Sequence, residues 1–239
     1  LLEAASGVLC GICAWHLGWG PQLAAALPLT AITAYETLFD RLRIRDAVPG
    51  AAPAVLIIGG AGGVGSIAIQ LVRQLTDLKV IATASRPETS GWIKKLGADY
   101  VIDHTKPLAE QVASLGLGAP GFVFSTTHTD KHAAAIADLI APQGRFGLID
   151  DFDHLDMRIF KSKAVSIHWE SMFTRPVFQT ADMIEQHKLL NHVAGLVDAG
   201  RIRTTLAENF GTINAANLRR AHAQIESQTT RGKIVLEGF

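Results

Sequence analysis

The chain has no surplus of charge of either sign, because 22 Lys and Arg are matched by 22 Asp and Glu. Proteins held on a polyanion need a basic excess, so nucleic acid is not an expected partner. Cysteine is nearly absent, with only Cys10 and Cys13. Two thiols make no disulfide framework, and a reducing, cytoplasmic setting is the expectation. No apolar run is long enough for a membrane span, since LLEAASGVLCGICAWHLGWG is broken by Glu3, His16 and several glycines. The same stretch lacks the basic n-region of a signal peptide. The G-x-S-x-G elbow, the Walker lysine motif and H-E-x-x-H are also missing, which disfavours hydrolysis and phosphoryl transfer. The chain begins at Leu1 without methionine, and its start is expected to be cut or misread upstream.

What is present is a soluble globular composition: 239 residues, 48% apolar and 18% charged, enough for one large domain and a remainder. Periodicity predicts a helix over 27–42, opened by Pro28 and Thr30, with Ile32, Tyr35, Leu38, Phe39 and Leu42 on one face. A short β-branched strand over 55–58 follows. Helices over 64–75, 88–96, 107–115 and 130–141 then alternate with strands over 79–83, 100–102, 122–124 and 145–149. Such alternation implies right-handed βαβ crossovers and a parallel, doubly wound α/β sheet. KAVSIHWE reads as a sixth strand and PVFQTADMIEQHKLLNHVAGLVDAG as one long helix from Pro176 to Gly200. A helix over 214–227 and a closing strand in GKIVLEGF end the chain.

The stretch AVLIIGGAGGVGSIAIQLVRQL, residues 54–75, carries Gly60, Gly62 and Gly65 as a G-x-G-x-x-G between a predicted strand and a predicted helix. In that context Gly60 permits a tight turn, Gly62 lets the backbone approach a pyrophosphate, and Gly65 lets helix and strand pack closely. The free N–H groups and positive dipole end of the helix then face the phosphates. A dinucleotide is the expected ligand. An NAD site usually ends the second strand with a carboxylate for the ribose 2′-OH, whereas VIATASRPE offers small, neutral Ala84 and Ser85 and the guanidinium of Arg86. NADPH is therefore expected over NADH, with Glu88 assigned to the following helix start.

Together, ALPLTAITAYETLFDRL, GGAGGVGSIAIQLVRQL, ASRPETSGWIKKLGADYVIDH and GKIVLEGF resemble the medium-chain dehydrogenase/reductase superfamily. Within it, the chain resembles the zinc-type alcohol-dehydrogenase-like proteins related to NADPH:quinone oxidoreductase. The resemblance runs from about Ala24 to Phe239. It implies a Rossmann NADP-binding domain over 24–170, followed over 171–239 by flanking helices and a strand that complete it and retain part of a catalytic domain. Residues 1–23 are an atypical segment, and most of the family's N-terminal GroES-like catalytic domain is expected to be missing.

The resemblance also suggests contacts. Thr33 matches a threonine facing the nicotinamide side, and Ala61, Gly62, Gly63 and Val64 match the pyrophosphate turn. Ser85 and Arg86 fall where the family recognises the adenosine phosphate, and His104 falls near the adenine ribose. Ser125, Thr126, Ile149 and Asp150 follow the fourth and fifth strands at the sheet's carboxyl edge. KSKAVSIHWESMFTR resembles a segment that passes the nicotinamide and pairs with its mate in a homodimer. His168 and Trp169 are thus site candidates, with core or interface roles left open.

Metal has little support. Leu29 occupies the position of a cysteine ligand in the metal-dependent branch, and Cys10, Cys13 and His16 make no complete zinc site. Tyr35 is better explained by helix packing than as a proton donor, and His132, His187, His192 and His222 read as surface or packing residues. No catalytic residue is assigned. The leading expectation is metal-free, NADPH-dependent hydride transfer to a quinone or an enone. A zinc alcohol dehydrogenase and an inactive NADPH-binding or dimerising fragment remain as alternatives.

Overall fold

A strand covered on both faces must be apolar nearly throughout, and Ala52–Ile58 (β1) buries every side chain except Pro53. In a computed structural model, which describes residues 21–238, β1 lies inside a six-stranded sheet of order β3-β2-β1-β4-β5-β6. The other strands are Lys79–Thr83 (β2), Tyr100–Ile102 (β3), Pro120–Ser125 (β4), Arg145–Leu148 (β5) and Ser166–Trp169 (β6). All the pairings are parallel, with Val55 opposite both Val80 and Phe122. The order reverses between β1 and β4, which opens a crevice beyond their carboxyl ends.

Alternate side chains of β1 feed two cores. Val55 and Ile57 join the helices Pro28–Tyr35 (α2), Gly63–Leu75 (α3) and Pro87–Leu96 (α4) on one face. Leu56 and Ile58 meet Leu108–Ser114 (α5) and Thr129–Leu139 (α6) on the other, with Phe160 of a 3-10 turn at Met157–Lys163. Fully burying each such Val, Leu, Ile or Phe contributes about 1.5–3 kcal/mol. A short helix, Pro21–Ala26 (α1), precedes α2.

The predicted helix over 27–42 changes geometry midway. After Tyr35 it widens into a π-helical stretch at Glu36–Arg41, where the Leu42 N–H reaches the Thr37 carbonyl at 2.8 Å. Arg145 closes this end by donating to the Leu42 and Arg43 carbonyls at 2.9 Å.

The single long helix expected from Pro176 to Gly200 is two helices, Thr174–Phe178 (α7) and Ile184–Asp198 (α8). Gln179 turns left-handed at φ +47, and Asp182 accepts from the Thr180 hydroxyl at 2.6 Å and the Arg175 guanidinium at 2.9 Å. Those short-range bonds lie where the helix breaks, in a sequence whose apolar periodicity runs on.

Ala215–Glu226 (α9) leads to Lys233–Val235 (β8), which pairs in parallel with Leu206–Asn209 (β7), a strand without a sequence signal. The Gly232 N–H just before β8 reaches the Ala61 carbonyl at 2.8 Å. The chain's end is thereby tied to the glycine turn.

Candidate functional site

The β1–α3 turn is built by close approach. Gly59 takes φ +80, and a Cβ there would lie 2.3 Å from the Thr126 hydroxyl oxygen. A Cβ on Gly65 would lie 2.3 Å from the Gly59 carbonyl oxygen. Gly59 rather than Gly60 thus supplies the left-handed turn residue. Gly60 has a different reason to be glycine, since its Cβ would sit 3.0 Å from Ala82 Cβ. The Gly62 carbonyl accepts from Ser66, the first backbone bond of α3. The preceding helical N–H groups have no intrahelical acceptor, and glycine at the N-cap provides no side chain for them.

Beyond this turn lies a cavity of about 620 Å³. Ala61, Gly62, Gly63 and Val64 form its floor, Ser85 and Arg86 enter after β2, and His104 enters after β3. Thr126, Thr127, His128, Lys131 and His132 line it from the β4–α6 side, and Ile225, Gln228 and Thr230 from the end of α9. Among the described residues no Asp or Glu lines it, whereas Arg86, Lys131 and three histidines do. Burial lowers both His104 and His132 below the ordinary imidazole value. Lys233, packed on Gly63, is lowered by burial as well.

The remaining expected residues lie elsewhere. Gly60 and Gly65 support the turn from behind. Ser125 is fully buried, its hydroxyl 2.8 Å from that of Thr129. Asp150 accepts from the Thr129 N–H at 2.9 Å and from its hydroxyl, so it caps α6 and neutralises that helix end. The first turn of α3 holds no acidic residue, which leaves α3 as the open anion-facing terminus. The Thr33 hydroxyl donates to the Leu29 carbonyl at 2.9 Å, and Ile149 packs on the core. His168 has a buried Nε2 without a partner among the described residues. Burial, then Arg43, Arg145 and Arg41, lowers its pKa. Trp169 is 51% exposed and stacks on Phe152.

Sequence reasoning missed His128, Lys131 and the site role of His132. TTHTDKH begins directly after β4 at the carboxyl edge, a placement that marks loop residues as site candidates. The contribution of α9 had no sequence signal. Among the described residues no cluster of three His, Cys, Asp or Glu is placed to hold a metal, and no helix is long and apolar enough to cross a membrane. Cys10, Cys13 and His16 lie outside the described residues.

Residues 96–236 match a family model described as zinc-binding dehydrogenase. The chain belongs to that family. It is 39% identical over 215 residues to a zinc-type alcohol dehydrogenase-like protein of Staphylococcus aureus strain MSSA476, covering 89% of this chain and 64% of the relative. It is 30% identical over 227 residues to a mitochondrial NAD(P)H oxidoreductase of Homo sapiens, covering 89% of this chain and 54% of the relative.

Among solved structures, a protein from Rhizobium etli CFN 42 assigned as a zinc-dependent alcohol dehydrogenase superposes with TM-score 0.89 at 70% identity, over 91% of this chain and 64% of that one. An Escherichia coli quinone oxidoreductase complexed with NADPH shares the fold, with TM-score 0.71 at 21% identity over 92% and 66% of the two chains. The medium-chain dehydrogenase/reductase resemblance is thereby borne out. The chain spans 64% of the length of the staphylococcal relative.

Proposed function

We propose that this chain is the cofactor-binding part of an NADPH-dependent oxidoreductase that reduces a quinone or an enone without metal. The observation carrying this reading is a switch-point cavity with an uncapped helix N-terminus at its floor, Arg86 on its wall and no lining carboxylate. These residues fit NADPH: the N–H groups after Gly62 would hold the pyrophosphate, and Ser85 and Arg86 the ribose phosphate. When bound, the cofactor supplies the hydride. The chain's own task is to orient the dinucleotide and hold its charge in place. Zinc does not fit the donors described: Leu29 has no metal-binding atom, and among the described residues no cluster of His, Cys, Asp or Glu replaces it.

Titration with NADPH and NADH, followed by NADPH oxidation with quinones and enones in the presence and absence of a chelator, tests this reading. Tighter NADPH binding and chelator-resistant turnover are expected. Equal or tighter NADH binding would overturn the NADPH assignment, and loss of turnover with the chelator would favour a zinc alcohol dehydrogenase.

A second reading, an NADPH-binding module without turnover that pairs as a homodimer, is favoured by exposed apolar side chains. Val177 is 53%, Phe178 75% and Ile184 55% exposed. It predicts NADPH binding with no oxidation by any acceptor. Either form is proposed to work in the cytoplasm.

A further inference from the structure

Arg86 is already partly engaged: its guanidinium donates to the Thr229 carbonyl at 2.7 Å, and its Nε lies 3.5 Å from Glu88. The same cavity holds a second group of basic side chains that Arg86 does not explain. His104 enters after β3, while His128, Lys131 and His132 enter at the start of α6. The imidazoles feel one another: charge on His128 and Arg86 disfavours a proton on His104, and charge on His104, His128 and Lys131 disfavours one on His132.

The nearby carboxylates are not among the lining residues described, although Asp103 favours a proton on His104 and Asp130 one on His132. Asp103, beside His104, accepts from the Thr105 N–H and hydroxyl and lies 3.6 Å from Lys106. Asp130 acts on His132 from α6, and Asp150 is taken by Thr129. His128 is held at φ +52, with Nδ1 2.8 Å from the Thr127 hydroxyl oxygen. A non-glycine residue held in that conformation is strained, and such strain clusters at ligand clamps.

We propose that His104 and His132 take up protons when a phosphorylated ribose enters this cavity, so that discrimination for the 2′-phosphate strengthens as pH falls. This uptake presupposes the NADPH reading above. In the free protein, burial is the largest influence keeping both rings neutral. A phosphate dianion supplies the opposing field, with Arg86 after β2 and Lys131 on α6 lining the same cavity. Any ligand that raises a group's pKa binds more tightly as pH drops through that pKa. His128 positions the α6 end of the cluster.

Isothermal titration of the full chain with NADPH and NADH between pH 8 and 6.5, in buffers of contrasting ionisation enthalpy, tests the coupling. The window ends there because a phosphate monoester takes its own second proton near about pH 6. The NADPH-to-NADH affinity ratio should rise about fivefold or more across the window, within the tenfold per pH unit allowed to one coupled proton. Net proton uptake should accompany NADPH and be absent with NADH. The double variant H104Q/H132Q should flatten the ratio. A constant NADPH preference without proton uptake overturns the coupling while leaving the cofactor reading intact. NADH binding as tight as NADPH at every pH overturns both. The uptake measurement needs only the native chain.

Discussion

Glu36 and Glu170 meet in the protein interior, each with one carboxylate oxygen that has no partner among the described residues. Burial, then the Glu36 carboxyl, pushes Glu170 up to about 8, although Arg41 lies 2.8 Å from its other oxygen. A raised Glu170 that keeps its proton has the Glu36 carboxyl as its acceptor, and we predict that the two share it. It also fastens the residue after β6 to the π-helical stretch after α2.

This pair predicts a pH-dependent stability. Glu170 is raised in the folded state above its ordinary value of 4.5, so its contribution is fully present below that value and is lost as pH rises through about 8. Thermal melts of the native chain should fall from pH 6 to pH 8.5, and Glu170→Gln, which keeps a donor and removes the charge, should lessen the fall. An identical pH slope in the two proteins would count against the shared proton.

Arg175 has 8% side-chain exposure and binds Glu36 at 2.6 Å, Asp40 at 3.0 Å and Asp182 at 2.9 Å. Removing one partner of a buried ion network leaves uncompensated charge, at a cost of about 3–5 kcal/mol. Arg175→Met should shift the denaturant midpoint accordingly. Adding Glu36→Gln should recover part of the loss, and the absence of any recovery would contradict a charge-based origin.

The turn glycines should separate folding from binding. At Gly62 a Cβ would meet only the Gly59 carbonyl oxygen, at 3.5 Å. Gly62→Ala should therefore change stability by under about 1 kcal/mol while weakening NADPH about tenfold, equivalent to about 1.4 kcal/mol. Gly65→Ala should lower stability by about 1–3 kcal/mol through overpacking against Gly59 and Gly60. Melting and NADPH fluorescence titration together check both, and unchanged binding in Gly62→Ala would remove this turn from the cofactor contact.

Arg86→Ala should narrow the NADPH-to-NADH preference by about ten- to a hundredfold, the range of a lost hydrogen bond to a charged group. Its effect on NADH should be small. Equal weakening of the two nucleotides would assign Arg86 to fastening Thr229 rather than reading phosphate.

Much of the sheet was legible because local rules and tertiary packing agree there. Val55 and Ile57 could be placed on one face and Leu56 and Ile58 on the other from period two alone, and the G-x-G-x-x-G needed only its strand and helix to declare a dinucleotide turn. The sequence by itself therefore determined the parallel α/β core, the anion-facing start of α3 and the missing carboxylate after β2. Where distant residues compete with local preference, only the tertiary structure decided. Arg175 is drawn to Glu36, 139 positions away, where α7 breaks from α8, Thr126 leaves no room for a side chain on left-handed Gly59, and Asp150 closes one helix terminus while α3 stays open. Folding also carries His132 from α6 to the cavity wall beside His104. Periodicity records which face of an element is apolar, but burial, charge and hydrogen-bond partners supplied from far along the chain determine which polar groups share a site.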